Sequence, residues 1–251
     1  SASYPGVEAD DPLLDIPPGT RHVIRTGMVD GREVAFFSPD IEVPLAPFMG
    51  ILAVAPAPVL GEPGVTMPGV QSSRPPGSFG GNMDVKDLKA GTTLYLPVFH
   101  PGALFYVGDP HSAQGDGEVS GTAIEQSLSG RFRFILHKKA DLPGTALAEL
   151  NYPLLETQDD WVLHGFSYAN YLAELGPNAQ NDIYSKSSVD LPMRDAFHKM
   201  RHFLMSTQNL GEDEAISLMS IAVDFGITQV VDGNWGVHAV LKKSMFPARK
   251  S

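Results

Sequence analysis

The spacing of apolar residues changes once along this chain. Up to about residue 166 they come in short β-branched or aromatic runs, and only after residue 190 do they recur at helical intervals. The runs at 22–24, 34–37 and 42–45, separated by Gly31 and Pro39, predict a hairpin and a further strand, and 48–54 continues the pattern. Further strands are predicted at 92–98, 104–107, 118–124 and 161–166. Another falls at 132–137, where Arg131, Phe132, Arg133 and Phe134 alternate as a half-buried strand does. A helix is predicted from Asp190 and Pro192 to about 207, with Met193, Ala196, Phe197, Met200 and Leu204 as its apolar stripe. A second starts near Gly211 with Glu212, Asp213 and Glu214 in its first turn and buries Ala215, Leu218, Met219 and Ala222. The chain closes with strands at 228–231 and 237–241 around an Asp232-Gly233-Asn234 turn.

These elements predict a β-rich α+β fold: packed β-sheets in a sandwich-like core, with a helix pair added late. Strands do not alternate with helices, which disfavours a doubly wound sheet. Residues 1–35 read as an irregular lead-in, rich in proline and acids at the start, and residues 36–251 as the domain. The Pro- and Gly-rich stretch 55–81 is too long for an idle loop in a compact domain and is expected to serve a site.

Composition narrows the function. A chain of 251 residues can bury roughly 70% of the surface its unfolded form exposes, and it contains no apolar run long enough to cross a membrane. Its net charge of −11 argues against nucleic acid or an anionic membrane as partner and favours a small neutral or cationic ligand. There is no cysteine, which removes disulfides, thiolate zinc sites and cysteine nucleophiles and points to the cytoplasm. Ser1 in place of Met reads either as a start trimmed in expression or as a terminus left by processing.

The candidate chemistry is concentrated in GALFYVGDPHSAQGDGEVSGTAIE, residues 102–125. Asp109, His111, Gln114, Asp116, Glu118 and Glu125 fall there within seventeen residues, an expensive set of groups to bring together unless something binds them. Gly108, Gly115 and Gly117 let the chain turn back so that several side chains converge. Oxygen and imidazole donors in this pattern suit a hard or borderline divalent metal that activates water; the alternative is a tight turn whose acids bond to its own backbone. His198 and His202 have zinc-binding spacing on the first helix, but they lie about 140° and 180° from its apolar stripe, on the solvated face. No HExxH or G-x-S-x-G is present, and Ser72-Ser73 does not form a Ser-Ser-Lys arrangement.

Residues 36–56 (FFSPDIEVPLAPFMGILAVAP), 74–125 (RPPGSFGGNMD through GDPHSAQGDGE to TAIE) and 220–246 together resemble the acetamidase/formamidase family of amide hydrolases. The resemblance implies hydrolysis of a short aliphatic amide to a carboxylate and ammonia, on a β-rich fold, in a homo-oligomer carrying a divalent metal, with zinc the first choice and calcium or another ion the alternatives. It implies roles for Asp84, Asp109, His111, Asp116, Glu118 and Glu125. Asp84, His111 and Asp109 are assigned as metal ligands, Glu118, Glu125 and Asp116 as proton-moving groups, and Asn82 and Gln114 as amide-binding groups. His100 is assigned to the substrate pocket, with a third metal ligand or a core histidine as alternatives, and His238, near Trp235, is expected on the surface of the closing hairpin, with a pocket wall as the alternative. Family members carry a longer N-terminal region before the segment that begins here at Phe36. A second function therefore stands beside the first: a non-catalytic binding or assembly subunit, completed by a separate N-terminal polypeptide.

Overall fold

The computed structural model describes residues 2–3, 22–57 and 71–246. The expected lead-in falls largely outside the described residues, as does the middle of the 55–81 loop. In chain order the elements are β1 (Ala2–Ser3), β2 (His22–Val23), β3 (Arg25–Val29), β4 (Arg32–Ser38), β5 (Ile41–Pro44), β6 (Phe48–Ala53), β7 (Gly80–Asn82), β8 (Thr93–Tyr95), β9 (Tyr106–His111), β10 (Leu154–Glu156) and β11 (Asp160–Phe166). Then come α1 (Tyr171–Glu174), α2 (Ala179–Lys186), α3 (Asp190–Gln208), α4 (Glu212–Ala222), β12 (Val223–Gln229) and β13 (Gly236–Lys242).

Three layers result. Alternation along β11 and β13 explains them: Leu163, Val237, Ala239 and Leu241 point to one side, where they meet Ala196, Met200, Phe203 and Leu204 of α3 and Ala215 and Met219 of α4. Val162, Phe166 and Val240 point to the other, where they meet Leu52 of β6 with Met83, Val85 and Leu88. The middle layer is an antiparallel five-stranded sheet in the order β12-β13-β11-β10-β8, and the third layer is the antiparallel sheet β7-β6-β9. A separate meander β3-β4-β5 covers Ile124 through Ile24 and Ala35. The packed sheets and the late helix pair agree with the sequence reading.

Helix α3 sits against β11 at Gly165, where a Cβ would overlap the Ala196 nitrogen and the Pro192 carbonyl. Lys199 straps the same contact: its ammonium donates to Asp195 Oδ2 at 2.6 Å and to the His164 carbonyl at 3.0 Å, while Asp195 Oδ2 accepts from the Phe166 N–H at 2.8 Å. Burial lowers the Lys199 pKa against the pull of Asp195.

Some expectations are corrected. Residues 118–124 are not a strand, because Gly117, Glu118 and Gly121 all have positive φ and the Gly121 N–H closes a turn on the Glu118 carbonyl. Residues 132–137 are exposed, and among the described residues no strand lies beside them; Phe132 and Phe134 rest on Phe105. Residues 22–35 are largely strand, and β4 runs through position 36. The last hairpin starts earlier than expected, with β12 following α4 directly. His238 is buried rather than on the surface, opposite His164, and shares a hydrogen bond of 2.9 Å between Nδ1 and Thr228 Oγ1.

Gly165→Ala is expected to cost about 3 kcal/mol, at the upper end for overpacking because the clash is with backbone. Gly115→Ala, with open space around it, should leave the urea midpoint nearly unchanged. The midpoints of the two variants check this. His164 supplies a pH test. Burial, then the charges of Lys199 and His238, hold its pKa well below 6.5. The unfolded chain therefore takes up a proton that the folded one resists, and this contribution to stability is present above about pH 6.5 and lost as pH falls below it. His164→Gln should remove that loss, so the difference between its midpoint and that of the parent should change between pH 7.5 and 5.5 in favour of the variant. A constant difference would refute the assignment.

Candidate active site

The site forms where the β7-β6-β9 sheet meets the loops that follow its strands. Strand β6 is central, with Ile51 opposite Asn82 of β7 and Phe48 opposite His111 of β9. Gly50 lies between them, and its missing side chain is what admits the acids: a Cβ there would overlap Asp84 Oδ1 and come within 2.9 Å of Asp109 Oδ2. The Gly50 carbonyl accepts from the N–H groups of Met83 and Asp84 at 3.1 and 3.3 Å, which fixes the chain after β7. Glu125 joins through a bridge to His111.

His111 is fully buried at the centre, with the Phe48 ring edge-on at 5.2 Å. Its Nδ1 lies 2.9 Å from Gln114 Oε1, and Gln114 Nε2 donates to the Asp84 carbonyl at 2.8 Å. A backbone carbonyl only accepts, so the Gln114 amide has one orientation, its Oε1 is an acceptor, and Nδ1 carries a proton. Nε2 then faces Asp109 Oδ2 and Glu125 Oε1, each 3.3 Å away. Burial pushes the His111 pKa down, but the hydrogen bonds and charges of Asp109 and Glu125 outweigh it and raise it to about 10. The side chains of these two acids are 30% and 29% exposed, so the Nε2 side opens to solvent.

The Nδ1 side is closed. Asp84 and Glu118 are buried there, with Asp84 Oδ1 3.6 Å from His111 Nδ1. Asp232, also buried, joins them from the β12–β13 turn. Burial first, then the charges of Asp232 and Glu118, raise the Asp84 pKa well above its usual value. Burial and Asp232 do the same to Glu118, and burial raises Asp232 itself to about 6 against the pull of Arg74. Asn82 Oδ1, both Asp84 carboxylate oxygens, Glu118 Oε2 and Asp232 Oδ2 are buried without a hydrogen-bond partner in the protein. Asp84, Asp109 and Glu118 hold positive φ angles of 52°, 52° and 44°, a region uncommon for residues with a Cβ.

Among the residues expected from sequence, Asn82, Asp84, Asp109, His111, Gln114, Glu118 and Glu125 come together. Gln114 spends one donor and one acceptor site of its amide inside the protein, on the Asp84 carbonyl and on His111. Asp116 stands apart in an exposed ion pair with Lys86 at 2.7 Å. His100 is also apart, with Nε2 donating to the Pro56 carbonyl at 2.8 Å. His198 and His202 are exposed, and His202 pairs with Glu149 at 2.6 Å. Asp232 was missed, because Asp-Gly-Asn is also the commonest kind of turn sequence. The signal for it was its place inside the third resembling stretch. Among the described residues, two groups could hold a metal ion: Asp84, His111 and Glu118, or Asp109, His111 and Glu125.

Comparison with known proteins agrees with the geometry. The model of the acetamidase/formamidase family matches residues 65–246. A Schizosaccharomyces pombe protein provisionally named a formamidase is 47% identical over 75 residues, 29% of this chain and 17% of that protein. The acetamidase of Mycolicibacterium smegmatis is 46% identical over 46 residues, 18% of this chain and 11% of that enzyme. These matches thus span well under two thirds of the relatives' length. The crystal structure of an acetamidase from Bacillus halodurans superposes with a TM-score of 0.67 at 25% identity, covering 98% of this chain and 69% of that one. A family match over that much of the sequence, joined to a fold shared along nearly its whole length, is decisive: the chain belongs to the acetamidase/formamidase family.

Proposed function

We propose that this chain hydrolyses short linear amides of the formamide and acetamide type to a carboxylate and ammonia, assisted by a divalent metal. The observation that carries the reading is the division of His111. With Nδ1–H committed to Gln114, Nε2 is the nitrogen left to bind a cation, and it faces two half-open carboxylates. Asp109, His111 and Glu125 are therefore the proposed ligands, and one imidazole with two carboxylates fits zinc first and harder ions as alternatives. Such a cation would supply a Lewis acid for the amide carbonyl and acidify the attacking water.

The protein's own groups do the rest. Gln114 keeps the proton on Nδ1, so that a bound cation would take the place of the proton that Asp109 and Glu125 otherwise hold on Nε2. Asp84, Glu118 and Asp232 crowd three carboxyl groups into a space that cannot keep all of them ionised, so a proton resides on the set and can pass to the departing nitrogen. Asn82 Oδ1, buried and unpartnered, is available to accept from the substrate –NH₂. This reading transfers Asp84 from metal ligand to proton store and Glu125 from proton carrier to ligand. Phosphate- or nucleic-acid-binding roles find no support in a chain of charge −11. A cytoplasmic homo-oligomer remains part of the proposal. Among the described residues no helix is long and apolar enough to cross a membrane.

A second reading is a non-catalytic binding or assembly subunit of the same fold, completed by another polypeptide. Ammonia release from formamide and acetamide by the purified chain decides between the two. The first reading expects release that a chelator abolishes and a divalent metal restores; silence under all conditions would favour the second. Within the first, His111→Asn should lower kcat by at least about 1000-fold and remove bound metal, as loss of a central ligand does. Asp116→Asn should stay within about threefold, as exposed ion pairs contribute little. Asp232→Asn should lower kcat by roughly 100-fold, the scale of general acid–base catalysis, while metal content measured by elemental analysis is unchanged.

A further inference from the structure

The turn that delivers Asp232 is built by two buried amides. Gln229 Oε1 accepts from the N–H groups of Val231 and Asp232 at 2.9 and 3.0 Å, and its Nε2 donates to the Asn234 carbonyl at 2.9 Å. Asn234 is equally committed. Its Oδ1 accepts from the Tyr168 N–H at 3.0 Å, and its Nδ2 donates to the carbonyls of Pro76 and Tyr168 at 2.8 and 2.7 Å. Both side chains are fully buried.

The same point on β12 also holds the loop of Glu118. Gly117 donates to the Thr228 carbonyl at 2.9 Å and accepts from the Val230 N–H at 3.1 Å, in a parallel bridge centred on Gln229. Glu118 is the next residue. Through Pro76, Asn234 also reaches the turn just before β7, the strand that ends in Asn82 and leads to Asp84. The two amides thus tie the Asp232 turn to the segment that leads to Asp84, next to the stretch of β12 backbone that holds the Glu118 loop. A hairpin needs none of this: a Gly-containing turn closes on its own backbone, and burying two amides is favourable only if every donor and acceptor is matched. The expense fits a demand for position rather than for stability.

We infer that Gln229 and Asn234 are positioning residues for the buried carboxyl set: they shape the turn that holds the Asp232 carboxyl against Asp84, beside the β12 backbone to which the Glu118 loop is bonded. The inference rests on the amide-hydrolase reading for its kinetic consequence, but its geometric content stands apart. Gln229→Met keeps the volume and removes all three hydrogen bonds; Gln229→Glu keeps both acceptor contacts; Asn234→Asp keeps the shape and loses both donors.

The test uses the full chain loaded with metal, assayed below the melting temperature of each variant. Gln229→Met and Asn234→Asp are expected to lower kcat about 100-fold, as misplacement of a reacting group by an ångström does. KM should stay within about threefold, because the contact acts on the transition state rather than on uniform binding. Gln229→Glu should recover at least about tenfold of the loss by restoring the Asp232 N–H contact. An unchanged kcat in Gln229→Met overturns the inference, and so does an equal kcat loss in a core variant such as Leu163→Ala chosen for equal loss of melting temperature. A crystal structure of Gln229→Met reads the geometry without any activity: the Asp232 carboxyl should leave Asp84, and its staying in place overturns the inference. If the parent chain itself releases no ammonia, the functional reading fails while this structural comparison still decides the positioning role.

Discussion

Three carboxyl groups, those of Asp84, Glu118 and Asp232, share a space from which water is almost wholly excluded, beside a fully buried imidazole. An isolated carboxylate in such a place is strongly disfavoured, and several together more so, unless protons or a cation offset the charge. The backbone adds its own cost. Asp84, Asp109 and Glu118 are held in the left-handed region, each at roughly 1–3 kcal/mol for a residue with a Cβ. Nothing local would keep this arrangement together, so the surrounding fold must be stiff enough to impose it.

The layers supply that stiffness. Helix α3 is seated on Gly165 and tied through Lys199 to the His164 carbonyl and through Asp195 to the Phe166 N–H, so β11 cannot slide beneath it. The opposite face of the same sheet presents Val162 and Phe166 to Met83, the residue just before Asp84. A shift of α3 would therefore pass through the sheet to the acid. Interiors packed at crystal density transmit such strain rather than absorb it. Gly50 completes the arrangement from the other side, where the absence of a Cβ leaves room for two carboxylates against one strand.

Much of this was legible in the sequence, for physical reasons that can be named. The helix pair was readable because Ala196, Met200 and Leu204 recur at helical spacing and Gly211 with three acids marks a start. The loop 109–125 was readable because acids, an imidazole and glycines rarely concentrate in a structural turn. Two strands failed on non-local facts. Residues 131–134 alternate, but among the described residues no strand pairs with them, and alternation is a property of a sheet face rather than of a chain. Residues 118–124 are β-compatible in composition, yet Glu118 is held in a conformation that only the site requires. Asp232 was illegible for a similar reason: it lies far from Asp84 in sequence, and its neighbours spell an ordinary turn. Helix α2 lies in a segment with little apolar periodicity, and its burial rests on Ala179 and Ile183.

The geometry of His111 explains why the sequence could identify the members of the site but not assign their roles. Each ring nitrogen lies near acids, and composition treats those acids alike. What separates them is one glutamine whose amide can face only one way, because its nitrogen meets a backbone carbonyl. That orientation puts a proton on Nδ1 and closes the side of Asp84, and it leaves Nε2 to the side where Asp109 and Glu125 reach solvent. Of the two sides, that of Asp109 and Glu125 is the one that reaches solvent, and the proposed division places cation binding there and proton storage behind it. A single hydrogen bond thus divides a uniform cluster of acids into two environments of different charge and access, as acid–base catalysis requires of paired carboxyl groups.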